Sequence, residues 1–138
     1  MVQKFPWDES IITGVPLIDI QHKELIVAFN DLADAIEQGK GASNVKKLLA
    51  FLKYYAGWHF EREEKCAEKY RCPIAAVNKQ AHNRFIEIFE QLEEQYRHSG
   101  FSDELALRIH EELANWIVNH IKRIDIQIGE CVHKGENA

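Results

Sequence analysis

The stretch that decides the fold is residues 45–70, VKKLLAFLKYYAGWHFEREEKCAEKY. Val45, Leu49, Leu52, Ala56, His59, Glu63, Cys66 and Tyr70 recur alternately four and three residues apart, which puts them on one face of a helix. The first half of that face is the aliphatic stripe of a core-facing helix. The second half carries a histidine and a glutamate one turn apart, where packing alone would call for Leu, Ile or Val. Two questions follow: what the helix packs against, and why its inward face becomes ionisable.

Working outward, three further segments show the same period. They carry Ile18, His22, Leu25, Phe29, Leu32 and Ile36; then Asn78, His82, Phe85, Phe89, Leu92 and Tyr96; then Ile109, Leu113, Ile117, His120, Ile124 and Ile128. Helices are predicted over about 18–38, 44–70, 74–98 and 103–131. Gly39 reads as a C-terminal cap, Ser43 as the next N-cap, and Arg71-Cys72-Pro73 as the break after the second helix. Ser99-Gly100-Phe101-Ser102 is the third turn. Residues 1–17 read as an extended arm whose Trp7 covers a seam. Turns this short force successive helices to alternate, and the near-heptad spacing suits shallow crossing angles. The expected architecture is all-α, an up-down-up-down antiparallel four-helix bundle forming one domain over 1–138.

Composition excludes several classes. The chain has 138 residues, 46 % hydrophobic and 28 % charged, with a formal charge of −5. That is globular composition, and its sign opposes nucleic-acid binding. No apolar run reaches membrane-spanning length, and the start MVQKFPWDES lacks the features of a secretion signal. A cytoplasmic protein without membrane or nucleic-acid partners is expected. Cys66, Cys72 and Cys131 form no close pair and no metal-ligand spacing, so they read as small buried hydrophobes or loop thiols of a reducing cytosol.

The inward stripes contain His22, His59, Glu63, Asn78, His82 and His120, with Asp125 nearby. One unpaired buried carboxylate costs several kcal/mol or is neutralised. A cation removes the difficulty, because it takes neutral imidazoles and anionic carboxylates together. His59 and Glu63 are i,i+4, as are Asn78 and His82. His120 and Asp125 are i,i+5, which on an ideal helix diverge by roughly 140°. Both face one centre only if the helix locally takes π pitch, so a π-type turn is predicted within 120–125. His98, His110 and His133 read as exposed or rim residues, and Glu61, Arg62, Glu64 and Lys65 as a solvated face. Imidazole and carboxylate without thiolate suit iron, manganese or zinc. The carboxylate-rich Glu-x-x-His type of site is disfavoured, since its only such spacing is Glu130 to His133 in the tail.

Taken together these residues resemble the hemerythrin family, in particular its single-domain bacterial members. The resemblance spans nearly the whole chain: Trp7, Gly14-Val15, Ile18-Asp19-Ile20-Gln21-His22-Lys23-Glu24-Leu25, His59-Phe60-Glu61-Arg62-Glu63-Glu64, the Tyr70 to Pro73 turn, His82-Asn83-Arg84-Phe85 and Trp116-Ile117-Val118-Asn119-His120-Ile121 with Asp125. It implies two iron ions with an oxo or hydroxo bridge. One iron would take His22 and His59, the other His82 and His120, with Glu63 and Asp125 bridging. Phe60, Trp116 and Ile117 match pocket positions that protect dioxygen. One position departs: the family has histidine where this chain has Asn78, with Pro73 five residues before it fixing the register. Asn78 is therefore a vacant or weak ligand position.

The implied function is dioxygen binding, as carrier, store or sensor. The opened position at Asn78 supports an alternative, an enzyme-like protein reacting with peroxide, dioxygen or nitric oxide; a second alternative is an iron buffer. The partner is then dioxygen or another small diatomic or peroxide ligand. No self-association stripe is legible, and the oligomeric state stays open.

Overall fold

A computed structural model describes residues 2–100 and 102–136. Phe101 of the third turn, and both extreme ends of the 1–138 span, lie outside the described residues. Four long helices make a helical bundle, with no strand among the described residues. They are α1 (Pro16–Glu37), α2 (Gly41–Lys69), α3 (Ala75–Ser99) and α4, over residues 103–136. The short connections between them are consistent with up-down alternation. α4 is not uniform: π-helical segments at His110–Ala114 and Ile121–Asp125 interrupt its α pitch. No helix among the described residues is long and apolar enough to cross a membrane.

The helix ends follow local chemistry. α1 starts at Pro16, two residues before the expected boundary, because proline's fixed φ suits a first turn that needs no N–H donor. Ahead of it, the Asp19 carboxylate accepts the Thr13 N–H and O–H and the Gly14 N–H. Gly39 does close α1. At φ +73° it donates to Ile36 O while Lys40 N–H donates to Ala35 O, the paired closure of a Schellman turn. Ser43 is not the N-cap of α2. The helix begins earlier, at Gly41 with Lys40 as cap, and the Ser43 hydroxyl donates back to Lys40 O. α2 closes in the same way as α1 but without glycine: Arg71 stands at φ +52°, and Cys72 N–H donates to Ala67 O at 2.9 Å.

The main core is drawn from every helix, with Leu25, Phe29 and Leu32 of α1, Leu52 of α2, Phe85 and Leu92 of α3, and Ile109 and Leu113 of α4 almost fully buried. Each such side chain contributes about 1.5–3 kcal/mol through burial. Trp7 of the arm packs half-buried against this core. The arm also crosses α4 at Gly129, where an added Cβ would run into Thr13 O. A smaller apolar cluster around Ala67, Cys72, Ile128 and Val132 closes another part of the bundle.

Two further readings of the sequence are corrected at this level. His110 is no rim residue. It is 1 % exposed, packed between Phe5 and Phe29, and burial lowers its pKa. Counting at α pitch puts residue 110 beside the Ile109–Leu113 stripe, whereas the π segment beginning there widens the inward face of α4. The cysteines are not all unpaired either. Cys72 and Cys131 form a disulfide, with Cα atoms 5.8 Å apart across 59 residues of sequence, and Cys66 remains a thiol. Sequence spacing could not reveal the pair, because the bundle itself brings the α2–α3 turn beside α4.

Candidate metal centre

The second π segment lies where the i,i+5 spacing demanded one. Ile126 N–H donates to Ile121 O, five residues back, so the turn holds one extra residue. His120 and Asp125 consequently face the same interior point, and Asp125 Oδ1 lies 3.2 Å from His120 Nε2. Opposite them stand His22 of α1, His59 and Glu63 of α2, and Asn78 and His82 of α3, all buried.

Nitrogen and oxygen atoms converge here in two overlapping sets. His22, His59, Glu63 and Asp125 make one; Glu63, His82, His120 and Asp125 make the other. Both sets share the two carboxylates, and each carboxylate divides its oxygens between them. Glu63 Oε2 is 3.3 Å from His22 Nε2 and 3.2 Å from His59 Nε2, while Glu63 Oε1 is 3.1 Å from His82 Nε2. Asp125 Oδ2 is 3.1 Å from His22 Nε2, and its Oδ1 faces His120.

Hydrogen bonding alone does not account for this packing. His120 Nε2 lies 2.9 Å from Asn78 Oδ1, 3.1 Å from His82 Nε2 and 3.2 Å from Asp125 Oδ1, yet one ring nitrogen has one proton to give. Asp125 Oδ1 and the Asn78 amide nitrogen are buried with no hydrogen bond of their own. Donor atoms in neighbouring positions around an octahedral ion, at bond lengths near 2.1 Å, stand about 3.0 Å apart. The observed separations are of that size, so the donor set fits a cation.

Charge points the same way. In the metal-free chain, burial opposes protonation of His22, but Asp125 and Glu63 outweigh it and raise the imidazole to about 9. His120 is raised to about 9 by the same balance. Burial pushes the Glu63 carboxyl up, and contacts with His120, His22, His59 and His82 outweigh this, holding it well below the usual carboxylate range. Burial lowers His59, with Glu63 partly opposing.

Two supporting residues were not legible in the sequence. Gln21, 2 % exposed, accepts at Oε1 from His59 Nδ1 at 2.6 Å. Glu64, read as part of a solvated face, instead accepts from His82 Nδ1 at 3.0 Å. Each bond holds the Nδ1 proton outward and leaves the Nε2 lone pair facing the centre. Adjacency to His22 and Glu63 in sequence was the only available hint.

Two of the three expected pocket residues lie against the second set. Phe60 stacks on His82 with ring centroids 3.9 Å apart, Trp116 stacks on His120 at 4.6 Å, and Ile117 is buried in the same core. A surface cleft of about 520 Å³ between α3 and α4 reaches Trp116 and His120, with Val77 and Arg123 at its walls.

Known proteins resemble this chain in sequence. The profile of the hemerythrin HHE cation binding domain matches residues 13–130. A bacteriohemerythrin of Pseudomonas aeruginosa is 27 % identical over 119 residues, 86 % of this chain and 75 % of the relative. One from Methylococcus capsulatus is 28 % identical over 87 % of this chain and 89 % of its own length. A hemerythrin-like protein of Naegleria gruberi is 29 % identical over 89 % of each.

Proposed function

The chain belongs to the hemerythrin family, and on that premise we propose that it is a cytoplasmic non-haem di-iron protein that binds dioxygen. The observation that carries this reading is the division of the Glu63 and Asp125 oxygens between two histidine pairs. His22 and His59 would hold one ion, His82 and His120 the other, and both carboxylates would span the two. Iron held by these residues would supply the electrons that dioxygen binding draws on. Gln21 and Glu64 keep His59 and His82 in the ligating tautomer. Phe60, Trp116 and Ile117 exclude water beside the second pair, and the cleft at Trp116 gives a small ligand its approach. Anaerobic loading with ferrous iron followed by dioxygen tests the reading. It requires an optical band that appears with oxygen and fades when oxygen is removed; irreversible bleaching counts against it.

Asn78 favours a second reading. Its Oδ1 lies 2.9 Å from His120 Nε2, within coordinating range of the same point. A neutral amide oxygen is a weaker donor to iron than imidazole. The second position then has two imidazoles and an exchangeable place, which suits turnover of peroxide, dioxygen or nitric oxide. Sustained peroxide consumption by the loaded protein supports this reading over oxygen carriage. Recovery of less than one metal per chain after gentle purification supports an iron buffer instead.

A further inference from the structure

The disulfide lies outside the donor sets, and neither the metal nor its ligand calls for it. Cys72 stands six residues before Asn78, and Cys131 six residues after Asp125. The bond therefore closes a covalent loop that contains Asn78, His82, His120 and Asp125 and ties the start of α3 to α4. Its two sulfurs differ in surroundings. Cys72 is 5 % exposed, in an apolar cluster with Ala67, Ile128 and Val132. Cys131 is partly exposed and lines a surface cleft of about 470 Å³ beside Tyr70, Pro73, Gln127 and Lys134. Lys134 and Glu130, both on that wall, set opposite charges near the opening.

The turn that presents Cys72 is held at a cost. Arg71 is the one non-glycine residue with positive φ among the described residues, a left-handed conformation that L residues adopt only under constraint. The Cys72 N–H to Ala67 O bond then fixes the cysteine directly after it. A released Cys131 thiol would find an acceptor in place, because its Sγ lies 3.7 Å from Tyr70 O.

We propose that Cys72–Cys131 is a reversible thiol-exchange site, attacked at Cys131 by a small thiol, whose opening loosens the metal-binding end of α3 and α4. An incoming thiolate bonds to Cys131 Sγ, the Sγ–Sγ bond breaks, and Cys72 leaves as thiolate and takes a proton. A second thiolate attacks the small-molecule sulfur of the mixed disulfide and releases Cys131. Two thiols become one small disulfide, and two electrons and two protons pass to the protein. Oxidised small thiol drives the reverse. Such a pair is compatible with a reducing compartment, where a permanent disulfide is not.

The second half of the proposal rests on the di-iron reading, and the test keeps the halves apart. The full chain, with and without iron, is equilibrated in buffers of reduced and oxidised glutathione, alkylated and mapped by mass spectrometry. Release of loaded iron to a chelator is followed in parallel, with circular dichroism monitoring the fold. Expected are a reversible gain of two thiols with iron present or absent, and, in Cys72→Ser, a trapped glutathione adduct on Cys131. Iron release from the reduced protein should be faster by about tenfold, the scale on which support of metal ligands acts. Cys72→Ser should release at the fast rate in both buffers. A thiol count that does not respond to the buffer, or an adduct confined to Cys66, overturns the exchange site. Equal release from oxidised and reduced protein overturns its coupling to the metal. A chain that takes up no iron while its thiol count responds refutes the di-iron reading and leaves the exchange site standing.

Discussion

Glu63 and Asp125 both reach the centre and divide their oxygens alike: one oxygen of each lies 3.1–3.3 Å from His22 Nε2, and the other is turned to the opposite histidine pair, at His82 for Glu63 and His120 for Asp125. A carboxylate serving a single ion has no need of this. Glu63→Gln should therefore weaken both positions together, by more than the roughly 10–100-fold that outer partners of metal ligands contribute. Calorimetric titration with ferrous iron under nitrogen reads the effect. Loss of one binding event with the other unchanged would show that Glu63 serves only one ion.

The supporting residues should separate the two positions. Gln21→Leu removes the acceptor for His59 Nδ1, and Glu64→Leu removes that for His82 Nδ1. Each should cost about 10–100-fold in affinity, at its own position only. Two binding isotherms that shift independently satisfy the prediction; a common shift in both variants does not.

Protons must leave when metal enters. His22 and His120 are both raised to about 9 in the metal-free chain, so both are charged near neutral pH. Ligation needs the neutral rings, so loading at about pH 7.5 should release at least about two protons per chain, with one more where a bridging hydroxide forms from water. An indicator dye in weak buffer measures them. The same shifts set a stability window. Histidines raised above their unfolded value near 6.5 stabilise the metal-free fold fully below that pH, and the contribution is lost as pH rises through about 9. The melting temperature of metal-free protein should fall across that interval, and a flat profile would contradict the charge balance described.

Asn78→His adds an imidazole beside His82 and His120. It should slow loss of iron from the second position by at least about tenfold and leave the first unchanged. Chelator-driven release with two resolved phases measures it. Identical kinetics in wild type and variant would mean that residue 78 does not face the ion.

Arg71→Gly relieves a left-handed residue at the close of α2. It should stabilise the oxidised protein by up to about 1 kcal/mol, part of the relief being offset by the freedom glycine gains on unfolding. Urea denaturation checks the sign; destabilisation would indicate that contacts of the Arg71 side chain outweigh the strain.

Much of this was legible in the chain because periodicity and residue chemistry are local. The four stripes placed the aliphatic core, and the conflict between His120 and Asp125 at α pitch pointed to the π segment at Ile121–Asp125. What stayed hidden depends on neighbours distant in sequence. Cys72 and Cys131 meet only after the bundle forms. Glu64 reads as surface until His82 of α3 arrives beside it. His110 turns inward through a π segment that no ionisable pair announced. Ser43 is not a cap because α2 already starts at Gly41, which leaves the Ser43 hydroxyl inside the first turn, donating to Lys40 O.

The central claim is that two ions share the Glu63 and Asp125 carboxylates. Its most direct test is a count of iron per chain after anaerobic reconstitution and removal of loosely held metal, on wild type and Glu63→Gln side by side. The account predicts about two irons per wild-type chain and loss of both together in the variant. One iron per wild-type chain, or a variant that keeps one firmly, would contradict it.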